Sequence, residues 1–313
     1  MNLQQLRYVR ETIRSGLSLT AAAERLHTSQ PGISRQIREL EHELGVEIFV
    51  RRGKRVIELT EAGRTLVQFV DRVLQEVDNL RTAAAEFNDP EAGGFSIAAT
   101  HTQARYALPA IVAEFRRRHP RVRLSLTQGS PSQIAEMTLA GTVDVGIATE
   151  ALDHYPKLLA LPGYTWHHCV IVPDGHPLTQ QSRLTLEALA RYPLITYDPA
   201  FAGRTQLDEA FAARQLRADV VLAAIDSDVI KTYVELGLGV GIIAAMAYDP
   251  VRDRGLTMLD ASHLFRTNTT RIALLRGRRL RPFCYDFIAL FAPHLSRRVV
   301  EAAMAGGTDS YEL

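Results

Sequence analysis

One stretch, residues 18–41, constrains the fold of this chain more than any other, because two short helical patterns meet there at a polar turn. The first pattern consists of small apolar residues that allow two helices to cross closely: Ala22, Ala23 and Leu26. The second repeats at helical spacing through Ile33, Ile37, Leu40 and Leu44. Because the polar segment 27–29 separates the two patterns, the sequence predicts a helix-turn-helix motif.

The second of these helices is expected to begin near Gln30. Ser29 can accept a hydrogen bond from a first-turn N–H, and Pro31 is tolerated because first-turn N–H groups have no partner within the helix. With its apolar residues turned inward, the helix presents hydrogen-bonding side chains that suit bases and phosphates. We therefore predict a DNA-reading face formed by Ser29, Gln30, Pro31, Ser34, Arg35 and Arg38.

A net charge of +1 for the whole chain favours no partner, but the distribution of charge is informative. Residues 1–60 hold ten Lys and Arg against seven acids, a difference of +3. Four of the ten lie in the run 51–55, between two apolar strand-like segments, as at the tip of a β-hairpin wing. Contacts from Arg51, Arg52 and Lys54 to DNA phosphates are favoured over a solvated loop, because the wing follows a helix-turn-helix. The segment 1–60 is thus predicted to be a winged helix-turn-helix DNA-binding domain.

A long linker helix is predicted at 61–88, with apolar residues at the alternating 4,3 spacing of a heptad seam. The seam consists of Leu66, Val70, Val73, Val77, Leu80, Ala84 and Phe87. A seam of this length on a small domain would stay in water unless a second copy covered it, which favours homodimerisation over packing against the same chain. Two reading helices on one two-fold axis would then meet half-sites about 34–36 Å apart.

The rest of the chain alternates strands and helices, which predicts an α/β fold with parallel sheets. A stretch with Pro and paired Gly at 89–94 is expected to be a hinge. Beyond it we predict two lobes that enclose a cleft, with the segments 271–275 and 282–292 returning to the first sheet. The predicted limits are 95–305 for the two-lobed domain, about 95–164 and 255–305 for lobe I, about 165–254 for lobe II, and 306–313 for a frayed tail.

Polar clusters follow several predicted strands, at the edge where a cleft of this kind binds small ligands. Thr100, Thr102 and Gln103 precede a helix, and their hydroxyl and amide groups, with free backbone N–H groups, favour an anion. Thr149 follows another strand, and the run Ala202-Gly203-Arg204-Thr205 precedes a helix of the second lobe. Helix capping is the alternative role for the threonines.

Three charged residues near this cleft have a structural interpretation at least as good as a binding one. Asp226 and Asp228 follow a strand and precede a helix, where an aspartate readily serves as the N-cap. Arg105 lies at the start of a helix and is compatible either with a ligand anion or with a bridge to a nearby acid. Its role stays open on the sequence alone.

Composition argues against several other classes of protein. At 313 residues, 46% apolar and 23% charged, the chain matches a multidomain globular protein without a membrane span or a secretion signal, and we expect it in the cytoplasm. Cys169 and Cys284 lie in apolar sequence, which favours buried free thiols over a disulfide or a zinc site. No nucleophile elbow, phosphate loop or metal-ligand spacing stands out, so neither an enzyme, a cofactor nor a metal is predicted.

The helix-turn-helix residues named above, followed by Leu44-Gly45 and Phe49-Val50-Arg51, resemble the LysR-type transcriptional regulators. Within that family the resemblance is narrower, to regulators of cysteine biosynthesis and sulfonate use. Four segments carry the narrower match: Asn2-Leu-Gln-Gln-Leu-Arg-Tyr8, Thr100-His-Thr-Gln-Ala-Arg-Tyr-Ala-Leu-Pro109, Asp228-Val-Ile-Lys-Thr-Tyr-Val234 and Phe291-Ala-Pro-His-Leu295. The similarity covers nearly the whole chain, and the second segment is the most discriminating.

This resemblance implies a tetrameric cytoplasmic activator whose effector domain is similar to the periplasmic binding proteins. It implies that acetylserine, sulfate or thiosulfate binds at Thr100, Thr102, Gln103 and Thr149, and that RNA polymerase is a possible partner besides DNA. One position departs from the family pattern, because Phe201-Ala-Gly-Arg-Thr205 stands where these regulators usually have Phe-Thr-Gly-Arg-Ser. Loss of one neutral hydrogen bond at Ala202 would weaken binding by about 0.5–1.5 kcal/mol, unless Thr205 replaces it.

Two further functions stay open, the first because of the departure at Ala202 and the second because of the α/β lobes taken alone. One is a LysR-type regulator of sulfonate use or of another pathway, with a different small-anion effector. The other, less favoured, is a solute-binding or enzymatic α/β module. The missing signal peptide argues against a solute-binding protein, and the missing catalytic groups argue against an enzyme.

Overall fold

The computed structural model describes residues 1–53, 55–149, 151–201 and 203–306. Two predicted site residues, Lys54 and Ala202, and the tail from 307 onward lie outside the described residues. The chain divides into two compact units, Met1–Ala85 and Glu86–Leu313.

Helices and strands alternate along most of the chain after a largely helical start. The helices are α1 (Leu3–Arg14), α2 (Leu19–Arg25), α3 (Gln30–Leu44), α4 (Glu61–Asn88), a π-helical turn (Gln103–Ala107), α5 (Leu108–Arg118), α6 (Pro131–Leu139), α7 (Leu186–Leu189), α8 (Arg204–Ala213), α9 (Ser227–Glu235), α10 (Pro282–Phe291) and α11 (Arg297–Met304). The strands are β1 (Phe49–Arg52), β2 (Arg55–Leu59), β3 (Gly93–Ala99), β4 (Val122–Gln128), β5 (Val145–Ala148), β6 (Leu158–Trp166), β7 (His168–Pro173), β8 (Leu194–Tyr197), β9 (Val220–Ala224), β10 (Val240–Ala244), β11 (Leu256–Asp260) and β12 (Asn268–Leu275).

The first unit is a winged helix-turn-helix, as predicted. Ser18 caps α2 and Ser29 caps α3, each accepting a hydrogen bond from a backbone N–H three residues later. The strands β1 and β2 form the antiparallel hairpin of the wing. The core of this unit contains completely buried residues from three helices: Val9, Ala22, Ile33, Ile37 and Leu40. Each large apolar side chain buried in it contributes about 1.5–3 kcal/mol, which holds the reading helix against α1 and α2.

The long helix α4 begins after the hairpin at a close contact. Thr60 Oγ1 accepts a hydrogen bond from the Gly63 N–H at 2.8 Å and so caps the helix. A Cβ atom at Gly63 would collide with the carbonyl oxygen of Ile48, so glycine is required where the helix passes the hairpin. The helix therefore starts at a position defined by its own unit.

The predicted seam of α4 is divided between two environments, which corrects the sequence-based interpretation. Val70 is buried in the core of the first unit, and Leu66 packs against that core. Val73, Leu80 and Phe87 are exposed. The reason is that the core of the first unit extends along α4 only as far as Leu74. Same-chain packing therefore accounts for the start of the seam, and only its later part is available to a second copy.

The connection after α4 is shorter and more firmly held than the predicted hinge at 89–94. The strand β3 already begins at Gly93 and pairs there with Val122. Arg121 forms ion pairs with Asp89 at 2.8 Å and with Glu91 at 2.9 Å. Arg281 Nη2 donates to the carbonyl oxygens of Asp89 and Ala92 at 2.6 and 2.8 Å. These contacts fix the segment to the second unit.

Lobe I of the second unit is a five-stranded sheet in the order β4-β3-β5-β12-β6. The first three of these strands are parallel, whereas β12 runs antiparallel to both of its neighbours. The helix α10 brings Phe283 and Phe287 against Phe95 and Phe115 in the core. The prediction that β12 and α10 return to the first sheet is therefore confirmed.

Lobe II is a five-stranded sheet in the order β11-β7-β10-β8-β9. The predicted assignment of 255–260 to lobe I is wrong, because β11 pairs with β7 from Leu256 opposite Pro173 to Asp260 opposite Cys169. The sequence pattern of β11 is short and half-exposed, so nothing local indicated a strand there. The chain passes between the lobes twice, from β6 to β7 and from β11 to β12.

Candidate functional site

The outward face of α3 carries the predicted DNA-reading residues along one groove. The Ser29 hydroxyl accepts a hydrogen bond from the Gly32 N–H at 3.3 Å, so this residue caps the helix and its side chain is partly committed. The groove has a volume of about 600 Å³ and is lined by Gln30, Pro31, Ser34, Arg35, Arg38, Glu39 and His42. The structure therefore brings the predicted helix residues together on one surface of the first unit.

The positive charges on this surface are exposed and only weakly paired. The Arg35 side chain is 80% exposed and pairs with Glu39 at 2.8 Å, one helical turn away. An exposed pair of this kind contributes only about 0.3–0.5 kcal/mol, so a phosphate or a base can replace the carboxylate at little cost. Arg38 is also exposed. Both guanidinium groups are thus accessible to a DNA groove.

The two predicted arginines of the wing differ sharply in their surroundings. The Arg51 side chain is 18% exposed and its Nη2 lies 2.7 Å from an Oε atom of the buried Glu41. Glu41 also accepts hydrogen bonds from the N–H groups of Ile48 and Phe49 at 2.8 and 3.1 Å. Arg51 therefore ties the wing to α3, a position that does not favour the predicted phosphate contact. Arg52 is exposed and stays a predicted contact.

The predicted effector residues of lobe I lie at the carboxyl end of β3, in what we call the effector loop, residues 100–103. Thr100, Thr102 and Gln103 are all buried. The loop is anchored by its backbone, because the Thr100 N–H donates to Ile147 at 3.3 Å and the Thr100 carbonyl accepts from Ala104 at 2.9 Å. Thr102, which precedes the π-helical turn, makes no side-chain capping hydrogen bond to it.

Gln103 is positioned by three residues that sequence reasoning did not find. Its Nε2 donates to Thr270 Oγ1 at 3.0 Å, and its Oε1 accepts a hydrogen bond from the Tyr164 hydroxyl. Trp166 Nε1 donates to the same Thr270 hydroxyl at 3.1 Å. Since one N–H of the carboxamide is already bonded, the second N–H of Gln103 is the donor that this side chain has available for a ligand.

Thr149 lies beside the effector loop, at the end of the neighbouring strand β5. The two strands are parallel, with Ala99 opposite Ile147. The Oγ1 atom of Thr149 is shielded from solvent and has no hydrogen-bond partner among the described residues. A buried hydroxyl without a partner costs about 1–3 kcal/mol, which a bound ligand would recover. This orphaned hydroxyl is the clearest local sign of a ligand.

The predicted effector residues of lobe II differ in their surroundings. Gly203 is the N-cap of α8 with φ +73°, and a Cβ atom there would collide with the His168 ring. Glycine is therefore required for close approach of the two segments. Thr205 is exposed in the first turn of α8. Ala202 lies outside the described residues, so its contacts stay a prediction.

Tyr197 is the buried polar residue at the centre of lobe II, and its local sequence indicates only a strand residue. Its hydroxyl bonds to Ser227 Oγ at 2.6 Å and accepts from the Ala244 N–H at 3.0 Å. Burial raises the pKa of Tyr197 to about 12, although hydrogen bonds, including one with Thr102, oppose the shift. Its position at the carboxyl end of β8 is the signal that would have identified it.

A second unpartnered polar atom lies where the lobes connect. The Asn268 Oδ1 atom is buried without a hydrogen-bond partner among the described residues, and its Nδ2 lies 3.4 Å from His168 Nδ1. Both residues stand at the ends of strands that cross between the lobes, β12 and β7. Neither was predicted as a binding residue, because nothing local in either strand indicates that the two residues meet.

The two aspartates at the start of α9 are structural, as expected. Asp226 is the N-cap and accepts a hydrogen bond from the Val229 N–H at 2.8 Å. Asp228 pairs with Arg105 at 3.3 Å, which answers the question left open for that arginine. Candidate ligand atoms of His101, Asp226 and Asp228 lie within 4.8 Å of one another. A metal ion there would have to compete for Asp228 with Arg105 and with Lys231.

Neither cysteine is placed for chemistry. Cys169 and Cys284 are free and buried, and burial raises the pKa of the Cys169 thiol to about 12 and that of Cys284 further still. Thiols of this kind are not nucleophiles at neutral pH. Among the described residues, no helix has the length and apolar character needed to span a membrane.

Comparison with known proteins gives the same division of the chain. A family model described as "LysR substrate binding domain" matches residues 88–296, and one described as "Bacterial regulatory helix-turn-helix protein, lysR family" matches residues 3–64. The chain is 54% identical to the "HTH-type transcriptional regulator CysB" of Burkholderia cenocepacia over 100% of both chains.

Two further similarities involve the Cbl regulator. The chain is 48% identical to the "HTH-type transcriptional regulator cbl" of Escherichia coli (strain K12), over 97% of this chain and 98% of that protein. The crystal structure of the cofactor-binding domain of the Cbl transcriptional regulator is similar with a TM-score of 0.66 and 46% identity, covering 68% of this chain and 93% of that one.

Proposed function

This chain belongs to the LysR family of bacterial transcriptional regulators and is not an enzyme, and on this basis we propose that it activates genes of sulfur assimilation and cysteine biosynthesis under the control of a small effector. The effector is acetylserine or a sulfur oxyanion, sulfate or thiosulfate. It binds in the cleft of the second unit, at the effector loop and Thr149.

The observation that carries the proposal is the unpartnered Thr149 hydroxyl beside the buried threonines of the effector loop. Buried polar groups in proteins usually have hydrogen-bond partners, so the unpartnered Thr149 hydroxyl next to Thr100 and Thr102 supports a ligand site here. The similarity to the CysB and cbl regulators supports sulfur metabolism as the source of that ligand.

The chemistry of the loop favours a small anion. Hydroxyl groups of Thr100, Thr102 and Thr149, with the free N–H of Gln103, are all able to donate hydrogen bonds. The loop also leads into a helical segment whose N-terminal N–H groups carry partial positive charge. Each hydrogen bond to a charged ligand contributes about 1.5–3 kcal/mol, so four such donors suffice for specific binding.

Control of DNA binding follows from the order of the domains. Reading helices α3 from two copies, joined through the exposed part of α4, bind two half-sites of one promoter. Binding of the effector shifts the closure of the two lobes, and in a tetramer this alters the separation of the reading helices. The protein acts in the cytoplasm on double-stranded DNA, and RNA polymerase is its further partner when it activates.

The effector is identified by isothermal titration of the full-length protein with acetylserine, sulfate and thiosulfate. We expect at least one of them to bind with a measurable heat. Replacement of Thr100 and Thr102 by alanine should abolish this heat of binding. Thr142→Ala is the matched control, because Thr142 is exposed and its hydroxyl donates to the nearby Met137 carbonyl oxygen. Thermal melts of the variants establish that they remain folded.

Control by the effector is tested separately in mobility-shift and DNase I footprinting assays on a sulfur-assimilation promoter. The effector should change the affinity, the footprint or the bend of the DNA for the native chain. The Thr100→Ala, Thr102→Ala variant should retain basal DNA binding and lose the response. An unchanged footprint with every effector would rule out the control mechanism.

A regulator of sulfonate use, or of another pathway with a different anion, is the second candidate. The departure at Ala202 from the usual family pattern and the similarity to the cbl regulator favour it. The two candidates are separated by comparing the affinity for promoters of cysteine biosynthesis genes and of sulfonate-use genes in one assay.

A further inference from the structure

Two of the segments that carry the family resemblance meet between the lobes, outside the effector-binding groups. The Tyr106 hydroxyl, at the end of lobe I's π-helical turn, donates to Asp228 Oδ1 in lobe II at 2.7 Å. Burial, together with this bond, raises the pKa of Tyr106, so its hydroxyl stays a donor. Arg105 Nε lies 3.3 Å from the other oxygen of the same carboxylate. The Asp228 carboxylate thus accepts hydrogen bonds from two side chains of lobe I.

Lys231 holds Asp228 in place from within lobe II. Its Nζ is buried, 3.2 Å from Asp228, 3.1 Å from the buried carboxylate of Asp253, and 3.0 Å from the Ala247 carbonyl oxygen to which it donates. The same ammonium group lies 5.3 Å from the centre of the Tyr106 ring. We call Tyr106, Asp228 and Lys231 the interlobe clasp.

The clasp and the effector loop are joined by one unusual element. The π-helical turn begins at Gln103, which is bonded on the lobe I side to Tyr164 and Thr270, and it carries Tyr106, which is bonded on the lobe II side. Single π-helical turns are rare and occur mainly where function requires a particular geometry. Contacts with both lobes therefore fix the orientation of the turn, and through it the position of the effector loop.

We propose that Tyr106 and Asp228 are positioning residues for the effector site, which hold the loop in its binding geometry without touching the effector. The inference rests on the proposed function, since it assigns the loop an effector. A purely structural clasp would stabilise the second unit but would leave the affinity of the site unchanged.

The test uses the full-length chain with the variants Tyr106→Phe, Asp228→Asn and the double variant. Tyr155→Phe is the matched control, a half-buried tyrosine of lobe I outside the clasp. Isothermal titration with acetylserine, sulfate and thiosulfate should show affinity lower by roughly tenfold in each single variant, the size expected for one hydrogen bond to a charged group. The double variant should be little weaker than either single one, because both substitutions act on the same bond: Tyr106→Phe removes its donor and Asp228→Asn removes the charge of its acceptor.

Hydrogen–deuterium exchange without any ligand gives the second measurement. Amides of residues 103–108 should exchange faster in Tyr106→Phe and as in the native chain in Tyr155→Phe. Faster exchange together with weaker binding supports the proposal. Unchanged affinity in both single variants overturns it, whether or not exchange changes.

The two proposals fail in different ways. A native chain that binds none of the three probes contradicts the proposed function. In that case the exchange measurement tests only whether the clasp holds the loop: faster exchange of residues 103–108 in Tyr106→Phe supports that part of the proposal, and unchanged exchange overturns it.

Discussion

Arg51 and Arg52 are neighbours in β1, yet the structure gives them different surroundings. Successive side chains of a strand point to opposite faces, so one arginine turns toward α3 and the other toward solvent. Arg51 neutralises the buried Glu41, whereas Arg52 is exposed. The sequence predicts one basic surface here, but the two arginines have different roles. Arg51 stabilises the fold, and Arg52 stays available for the predicted DNA contact.

Arg51→Ala should lower the free energy of unfolding of the first unit by about 2–4 kcal/mol, because it leaves Glu41 buried without its cation. Arg52→Ala should change the stability by less than about 0.5 kcal/mol. It should instead weaken DNA binding at every sequence and reduce the salt slope of the affinity by about 1. Urea unfolding and fluorescence anisotropy at several salt concentrations measure the two effects. Equal loss of stability in both variants would contradict the assignment.

Asp228 provides a pH-dependent contribution to stability. Partial burial by itself raises the pKa of its carboxyl, but hydrogen bonds from Tyr106 and Lys231 and the charges of Lys231 and Arg105 outweigh burial and lower it. A carboxyl with a lowered pKa stabilises the folded chain above its unfolded pKa of about 3.9, and this contribution disappears as the pH falls through the folded value.

The native chain should therefore be more stable than Asp228→Asn at pH 5 to 7, and the difference should shrink below about pH 4. Urea unfolding of both proteins across this range measures it. A difference that is constant with pH, or that grows in acid, would show that the charge of Asp228 is not what stabilises the contact.

At the scale of elements, α4 serves two surfaces. Its first turns complete the core of the first unit through Val70 and Leu74, while Leu80 and Phe87 are 70% and 90% exposed. Large apolar side chains so exposed on a helix indicate an interface. The later half of α4 is thus the predicted dimer contact, and the earlier half is not.

Replacement of Leu80 and Phe87 by aspartate should convert the oligomer to a smaller species, because charges would then occupy the seam. Val70→Ala should lower the stability of the first unit by about 1–3 kcal/mol and leave the oligomeric state unchanged. Sedimentation velocity and thermal melts distinguish the two. An unaltered sedimentation coefficient for the aspartate variant would contradict the prediction that the later half of α4 forms the dimer contact.

At the scale of the whole molecule, dimerisation determines how DNA is read. Two α3 helices related by a two-fold axis contact half-sites about 10–10.5 base pairs apart, or a multiple of that spacing. Hydroxyl-radical footprinting on a target promoter should show protection with this spacing for the native chain and loss of one half-site pattern for the aspartate variant of α4. A single uninterrupted footprint in both proteins would contradict two-headed binding.

The sequence by itself determined the elements that local periodicity controls. The caps at Ser18 and Ser29, the length of α4 and the alternation of strands and helices all follow from residues close together in the chain. The Thr100 to Gln103 run was recognisable because polar residues that end a strand lie at the ligand-binding edge of a sheet.

Only the tertiary structure decided which distant groups meet. The pairing of Arg51 with Glu41, the bonds of Gln103 with Tyr164 and Thr270, and the place of β11 in lobe II each join parts of the chain that no local pattern relates. The physical reason is that apolar spacing specifies which face of an element is buried but not which partner covers it. That partner is chosen when strands pair and lobes close, and it decides whether a polar residue binds a ligand, binds DNA or holds the fold.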